Sequence, residues 1–261
     1  MTHPEPILTP PSRRAFWKES RALVDLARMP GPLLAAKLRS NPPAPPLHVV
    51  TVPGFGADDW SMLPIRKFLR ARGFTADGWG LGRNLGGLNM THSLSALSDR
   101  WDVNEREDYN GEAGVPYLVD RLYERLVERY SDADKPIALV GWSLGGYLAR
   151  EAARDLPDLV DRVITLGSPI IGGPKYTATA KRFRELGQDL DWIEAEIARR
   201  ESRPIQQPIT SIYSKSDAIV NWRAAIDHYS SNVEHIEVDV AHLGFAFNSK
   251  VWGLVEDALR A

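Results

Sequence analysis

Pro136-Ile137-Ala138-Leu139-Val140-Gly141-Trp142-Ser143-Leu144-Gly145-Gly146 decides the reading of this chain. An apolar run of strand length ends in Gly-x-Ser-x-Gly, and a helical pattern begins at once. A serine at such a junction sits on a sharp strand-to-helix turn in a strained backbone conformation. Gly141 and Gly145 leave room where a Cβ would clash with the neighbouring strand or helix. Ser143 is expected at the C-terminal end of the strand, over the N-terminus of the next helix. Free N–H groups and partial positive charge at that end suit an oxyanion. The competing reading is a glycine-rich turn with an idle serine. The flanking strand and helix favour the catalytic one.

Outward from this junction, strands and helices alternate. On the N-terminal side, residues 47–52 and 74–79 read as strands, residues 60–72 and 115–130 as helices. Residues 86–114 are polar and irregular, a solvated loop long enough to rim a site with Trp101 and Tyr109. On the C-terminal side come a helix over 146–156 and strands over 160–166, 209–213 and 233–240. Helices over 222–229 and 249–259 complete the pattern. The alternation predicts an α/β fold: a mainly parallel sheet of about six strands, covered by helices on both faces.

Two segments stand outside it. In residues 171–204, Phe183, Leu186, Leu190, Ile193 and Ile197 repeat at spacings of three and four, one amphipathic stripe. Its place after the strand next to the central one predicts a small helical cap over the site, in which Phe183, Leu186 and Leu190, with Trp142 from the elbow, meet substrate. An ordinary surface helix is the alternative. Residues 1–46 form an N-terminal arm: a proline-rich start, a helix over 14–28, a break at Pro30-Gly31-Pro32, a short apolar helix over 33–38, and the stiff linker Asn41-Pro42-Pro43-Ala44-Pro45-Pro46. Such an arm docks on the core, covers a pocket mouth, or touches a membrane surface peripherally.

A serine hydroxyl needs a base to take its proton, and the base needs a third group to fix its tautomer. In a parallel sheet, residues just beyond the C-terminal strand ends converge on one edge. Of the six histidines, His242 alone comes directly after a strand end. His3 lies in the arm, His48 and His235 near strand starts, and His228 in a helix, which leaves His92 in the long loop as the rival. Asp217, four residues past the strand ending at 213, reaches the same edge; Asp239 is its rival. The second oxyanion donor is expected from the loop after the first strand, at Phe55 between Gly54 and Gly56, beside the N–H of Leu144.

Composition removes other classes. A net charge of −2 supplies no basic field for nucleic acid. The chain has no cysteine, so disulfides, a cysteine nucleophile and thiolate metal sites are excluded. The lack suits a reducing cytoplasm, the expected location. Gly80-Leu81-Gly82-Arg83-Asn84-Leu85 fails the dinucleotide fingerprint at its last position, and no Walker motif occurs. No metal or organic cofactor is expected. The charged N-terminus does not read as a signal peptide, and no run approaches the roughly 20 apolar residues of a membrane span.

Pro53-Gly54-Phe55-Gly56, Gly141 to Gly146, Ser216-Asp217 and His242-Leu243-Gly244 together resemble the α/β-hydrolase superfamily, in particular its bacterial lipase- and esterase-like members. The resemblance covers roughly residues 47–260, and the segment Gly78 to Asn84 looks like part of such proteins. It implies one α/β-hydrolase domain over 47–261 with the cap inserted at about 171–204. It also implies a serine hydrolase cleaving a lipophilic small-molecule carboxylic ester through Ser143, His242 and Asp217. Many members carry His-Gly where this chain has Pro53-Gly54, a departure that touches the oxyanion loop. An acyltransferase with the same triad, and a non-catalytic ligand-binding protein of the same fold, are the alternatives.

Overall fold

Among the described residues six strands pair into one sheet, five of them carrying Val, Ile or Leu and one, Thr75–Gly78, carrying none. The computed structural model describes residues 8–38, 43–103, 106–133 and 135–261, with the side chains of Arg13 and Arg14 outside that description. Readings that fall on residues 1–7 (His3 included), on Asn41 and Pro42, and on Glu105 lie outside the described residues. In chain order, a 3-10 helix Arg13–Ser20 leads into α1 Arg21–Arg28 and α2 Pro30–Leu38. Then come β1 His48–Val52, α3 Leu63–Ala71, β2 Thr75–Gly78, α4 Gly114–Tyr130, β3 Ile137–Trp142, α5 Leu144–Asp155 and β4 Val160–Leu166. The chain closes with α6 Ala180–Glu185, α7 Leu190–Arg200, β5 Ile209–Ser214, β6 Val233–Val238 and α8 Ser249–Arg260.

All strand pairs are parallel, in the order β2-β1-β3-β4-β5-β6. Strand period two splits the core into two layers. From β3, Ala138, Val140 and Trp142 pack with Phe68 and Leu69 of α3 and Trp252 and Val255 of α8. Ile137 and Leu139 pack on the other face with Leu118 and Leu122 of α4 and Leu148 and Ala149 of α5. The chain leaves β1 for β2 on one side and returns to β3 on the other. The C-terminal ends of β1 and β3 therefore flank the switch point where ligands of such sheets bind.

Four local readings change. The helix ends at Arg28 as expected, but the second one starts at Pro30 rather than at 33, because a proline in the first turn forfeits no intrahelical bond. Residues 222–229 give only a 3-10 turn, Trp222–Ala225, since the Asp227 carboxylate captures the N–H groups of Tyr229 and Ser230. β6 ends at Val238, not at 240: Val240 N–H bonds to Ser214 Oγ. The stripe expected across 183–197 is cut at Gly187, whose φ of +83° ends one helix, and Asp189 caps the next by accepting from Asp191 and Trp192 N–H.

The arm docks on the body. Met29, Leu33 and Ala36 join the α3/α8 layer, Arg21 pairs with Asp239 at 3.0 Å, and Asp25 accepts from Asn248 at 2.8 Å. Phe16, Trp17, Leu23, Leu34 and Leu38 stay exposed. Among the described residues no helix is long and apolar enough to cross a membrane.

Candidate active site

Ser143 joins β3 to α5 with φ 55° and ψ −126°, and is the sole non-glycine residue at positive φ among the described residues. Such a conformation costs about 1–3 kcal/mol and survives only where the surroundings over-determine it. Here Ser143 N–H donates to Leu166 O at 2.8 Å, and the two glycines let the turn close. A Cβ on Gly145 would lie 2.2 Å from Val52 O, and one on Gly141 would lie 2.3 Å from Gly145 O.

The base and acid loops meet beside it. His242 Nδ1 lies 2.7 Å from Asp217 Oδ2, both side chains almost fully buried. Asp217 Oδ1 accepts from Ile219 and Val220 N–H at 2.8 Å each, which aims the other oxygen at the ring. A carboxylate at Nδ1 leaves Nε2 as the free, basic nitrogen. Ser143 and His242 line one cavity, and no hydrogen bond joins Ser143 Oγ to the ring. The rivals sit elsewhere. Asp239 faces outward, where Arg21 and Ser216 hold its carboxyl at about 2. His92 stacks on Tyr117, and His48 pairs with Asp77.

Phe55 and Leu144 both line the cavity, and neither N–H has an acceptor among the described residues. Gly54 brings the loop against the elbow: a Cβ there would sit 3.1 Å from Ser143 Cβ. Among the described residues no histidine supports this loop. Buried Asn84 does: its side chain donates to Pro53 O at 2.7 Å, its carbonyl accepts from Gly56 at 2.6 Å, and its N–H donates to Ala57 O at 2.8 Å.

The cavity, about 270 Å³, is walled by Trp101, Tyr147, Trp192, Ile193, Ile197, Val220 and Leu243. Phe183 lines it and meets Phe55 edge-on at 5.6 Å between ring centres. Leu186 and Leu190 do not line it. The break at Gly187 leaves Leu186 on the surface at 44% exposure, while Leu190 is buried in the packing of the cap. Trp142 lines the cavity, and its indole donates to His242 O at 3.1 Å, so it also braces the base. Tyr109 is a rim residue that the structure uses otherwise: its hydroxyl accepts from Ala113 N–H. Glu196 sits on the wall, and burial pushes its carboxyl up against the opposing pull of Arg199.

The sequence pattern gives no hint of Glu19. This buried arm residue accepts from the N–H groups of Ala218, His242 and Leu243 at 2.9–3.1 Å. Asn84 is legible only as part of a glycine-rich loop. The described residues contain no cluster of three or more His, Asp or Glu able to hold a metal.

Structurally the chain is similar to an esterase of Pyrococcus furiosus (17% identity, 82% of each chain, TM-score 0.50). It is similar to a thioesterase domain from the curacin biosynthetic pathway (13% identity, 84% of this chain and 93% of that one, TM-score 0.51). A protein of Acinetobacter baumannii put forward as a lipase aligns as well (14% identity, 82% and 83%, TM-score 0.53). At these identities the likeness is one of fold. No curated protein matches the sequence. The model of the alpha/beta hydrolase family matches residues 49–255, most of the chain, and the protein belongs to that family.

Proposed function

We propose that this hydrolase cleaves neutral carboxylic esters with an apolar acyl group, by way of an acyl-enzyme on Ser143. One observation carries the reading: the strained Ser143 and the Asp217-bound His242 line the same largely apolar cavity. As Ser143 Oγ bonds to the acyl carbon, its proton passes to His242 Nε2. Asp217 stays ionised and stabilises the imidazolium. The Phe55 and Leu144 N–H groups receive the oxyanion. The C–O bond to the alcohol then breaks as His242 returns the proton to the leaving oxygen. Water repeats the sequence: His242 takes its proton, hydroxide adds to the acyl carbon, and Ser143 leaves with that proton as the acid departs.

The cavity walls support an acyl chain rather than a charged group, since Phe183, Trp192, Ile193 and Ile197 surround it and burial disfavours ionised Glu196. The test pairs labelling by a fluorophosphonate probe with hydrolysis of p-nitrophenyl acetate, butyrate, octanoate and decanoate. Stoichiometric labelling and turnover that peaks above acetate are expected. A purified, folded protein that neither labels nor turns over any ester sinks the proposal.

A further inference from the structure

The β5–β6 ladder stops at Ser214↔Val238. Asp217 and His242 both lie beyond it, so strand pairing does not fix one against the other. Two side chains continue the tie. Ser214 Oγ donates to Val240 O at 2.7 Å and accepts from Ser216 and Val240 N–H. Further out, Glu19 spans the gap: Oε1 accepts from Ala218 N–H at 3.1 Å and His242 N–H at 3.0 Å, and Oε2 from Leu243 N–H at 2.9 Å. Ala218 is next to the acid in the chain, and His242 is the base itself. These three N–H groups have no other acceptor among the described residues. Glu19 comes from the arm, outside the region 49–255 matched by the family.

We infer that Glu19 is a positioning residue that holds the acid and base loops at the separation where His242 and Asp217 stay hydrogen-bonded. The inference rests on the proposed Ser143–His242–Asp217 chemistry. A carboxylate accepting three N–H groups makes charge-assisted bonds, and its loss leaves buried donors unpaired. The two loops then relax apart, and a displacement near 1 Å in catalytic geometry can cost about a hundredfold in rate. Glu19 touches neither serine nor substrate, so binding of a short ester is untouched.

The test compares wild type, Glu19→Gln and Glu19→Ala, each corrected for folded fraction by a circular-dichroism melt. Glu19→Ala is expected to lower kcat for p-nitrophenyl butyrate and the fluorophosphonate labelling rate by about 10–100-fold, with KM held. Glu19→Gln recovers part of the loss. Its amide oxygen can keep the bonds to Ala218 and His242, while its NH₂ opposes the Leu243 N–H. Labelling of both variants at the wild-type rate overturns the inference and leaves the proposed function standing; an unlabelled wild type overturns the function. In that event the proton NMR signal of His242 Nδ1–H, assigned with His242→Gln, still decides the positioning role. It is expected to broaden through faster solvent exchange in Glu19→Ala, and an unchanged signal overturns the role.

The outward side of the same arm carries an independent observation. Phe16, Trp17, Leu23, Leu34 and Leu38 are each more than half exposed. Lys18, Arg28 and Lys37 stand among them on the surface, while the arm's described carboxylates, Glu19 and Asp25, are bonded to the body. Among the described residues this surface is apolar and cationic. We propose that it docks on an anionic lipid surface, where apolar side chains enter the interface and lysine and arginine meet the headgroups. Sedimentation with phosphatidylcholine vesicles, with and without an equal part of phosphatidylglycerol, tests it. Binding is expected on the mixed vesicles, several-fold weaker on phosphatidylcholine alone, and lost in Trp17→Ser/Leu34→Ser. No binding to mixed vesicles, or equal binding to both kinds, overturns it. So does a dimer in light scattering that the same variant dissolves, which assigns the face to a second copy.

Discussion

The strand ends that carry Ser143, Asp217 and His242 and the segment 171–204 are held by different forces. Backbone holds the elbow, where Ser143 N–H reaches Leu166 O and Gly167 N–H reaches Ile212 O, each extending a parallel ladder, and the Ser214 and Glu19 side chains tie the loops of Asp217 and His242 just beyond it. Segment 171–204 is tied by backbone only near its start, where Thr177 bridges Val220 and Ala178 N–H meets Ile219 O. Its other end hangs on side chains. Arg200 pairs with Glu151 and Asp155, and Glu201 with Arg150 and Arg154, all within or against α5 and all buried. Between these anchors α6 presents Lys181, Arg182 and Arg184 outward and Phe183 to the cavity. Few backbone ties and a side-chain anchor mark a region that opens more readily than the sheet. On the proposed function, chemistry belongs to the sheet edge and choice of substrate to the cap.

Ser143→Ala breaks the edge alone and has the largest expected effect. Turnover should fall on the order of 10⁴-fold or more. The melting temperature should hold or rise, because the strained serine adds no packing. Residual hydrolysis at wild-type level would falsify the assignment of the nucleophile. Asp217→Asn is next, with a loss on the order of 10³-fold, since an amide at Nδ1 favours the wrong tautomer of His242. Asp239→Asn, at the exposed rival, should leave kcat within about twofold while weakening only the surface contacts with Arg21 and Ser216. The reverse ranking transfers the role of acid to Asp239.

Arg150→Ala strikes the anchor of the cap. Its guanidinium is fully buried between Glu201 and Asp227, at 3.0 and 2.8 Å. Removing it leaves the buried Asp227 carboxylate without its ion-pair partner and Glu201 with Arg154 alone, and the expected loss is about 3–5 kcal/mol in urea unfolding. The same network gives acid sensitivity. Burial pushes Glu151 and Asp227 up, but arginines outweigh it: Arg154 and Arg200 hold Glu151 below its usual value, and Arg150 does the same for Asp227. A carboxyl depressed in the folded state adds stability that is complete above its unfolded pKa. That stability is lost as pH falls through the folded one. Unfolding free energy should therefore drop from the ordinary carboxylate range downward, and less steeply in Arg150→Ala. An equal acid slope in the two proteins removes Asp227 from this account.

The sheet and the site's three expected members were legible because local pattern fixes them. An apolar run sets a strand, and the residues just past its C-terminal end lie at the catalytic edge, as for Ser143, Asp217 and His242 in the arrangement observed. Glu19 was illegible for the opposite reason. Its partners lie 199 to 224 residues away, and no turn, cap or period marks it among the arm's charges. Leu186 and Leu190 fall between these cases. Their spacing fits a helix, but Leu186-Gly187-Gln188-Asp189 holds a glycine stop and an aspartate N-cap, and that signal outranks periodicity. Asn84 supports the loop after β1 from a point 31 residues beyond Pro53, and chain position alone does not disclose such a partner.

The smallest expected effect separates lining from packing inside the cap. Phe183 and Ile193 face the cavity from α6 and α7, each half-buried, whereas Leu190 is buried away from it and Leu186 is exposed. On the proposed function, a decanoyl group lays more apolar surface against this wall than a butyryl group does. Phe183→Ala/Ile193→Ala removes apolar surface worth roughly 25 cal/mol per Å² of contact. A loss of about 1–3 kcal/mol is reasonable for a hydrophobic subsite, which is about ten- to a hundredfold in kcat/KM for decanoate. Butyrate should change by less than about threefold, since less contact in its transition state is lost. Leu190→Ala should do something else: lower stability by about 2–5 kcal/mol, with activity per folded molecule reduced evenly across the esters. Leu186→Ala should alter neither. The measurement is kcat/KM against acyl length beside a melting curve for each variant. A chain-length profile that shifts in Leu190→Ala but not in Phe183→Ala/Ile193→Ala removes selection of substrate from the cap wall and returns it to the sheet edge.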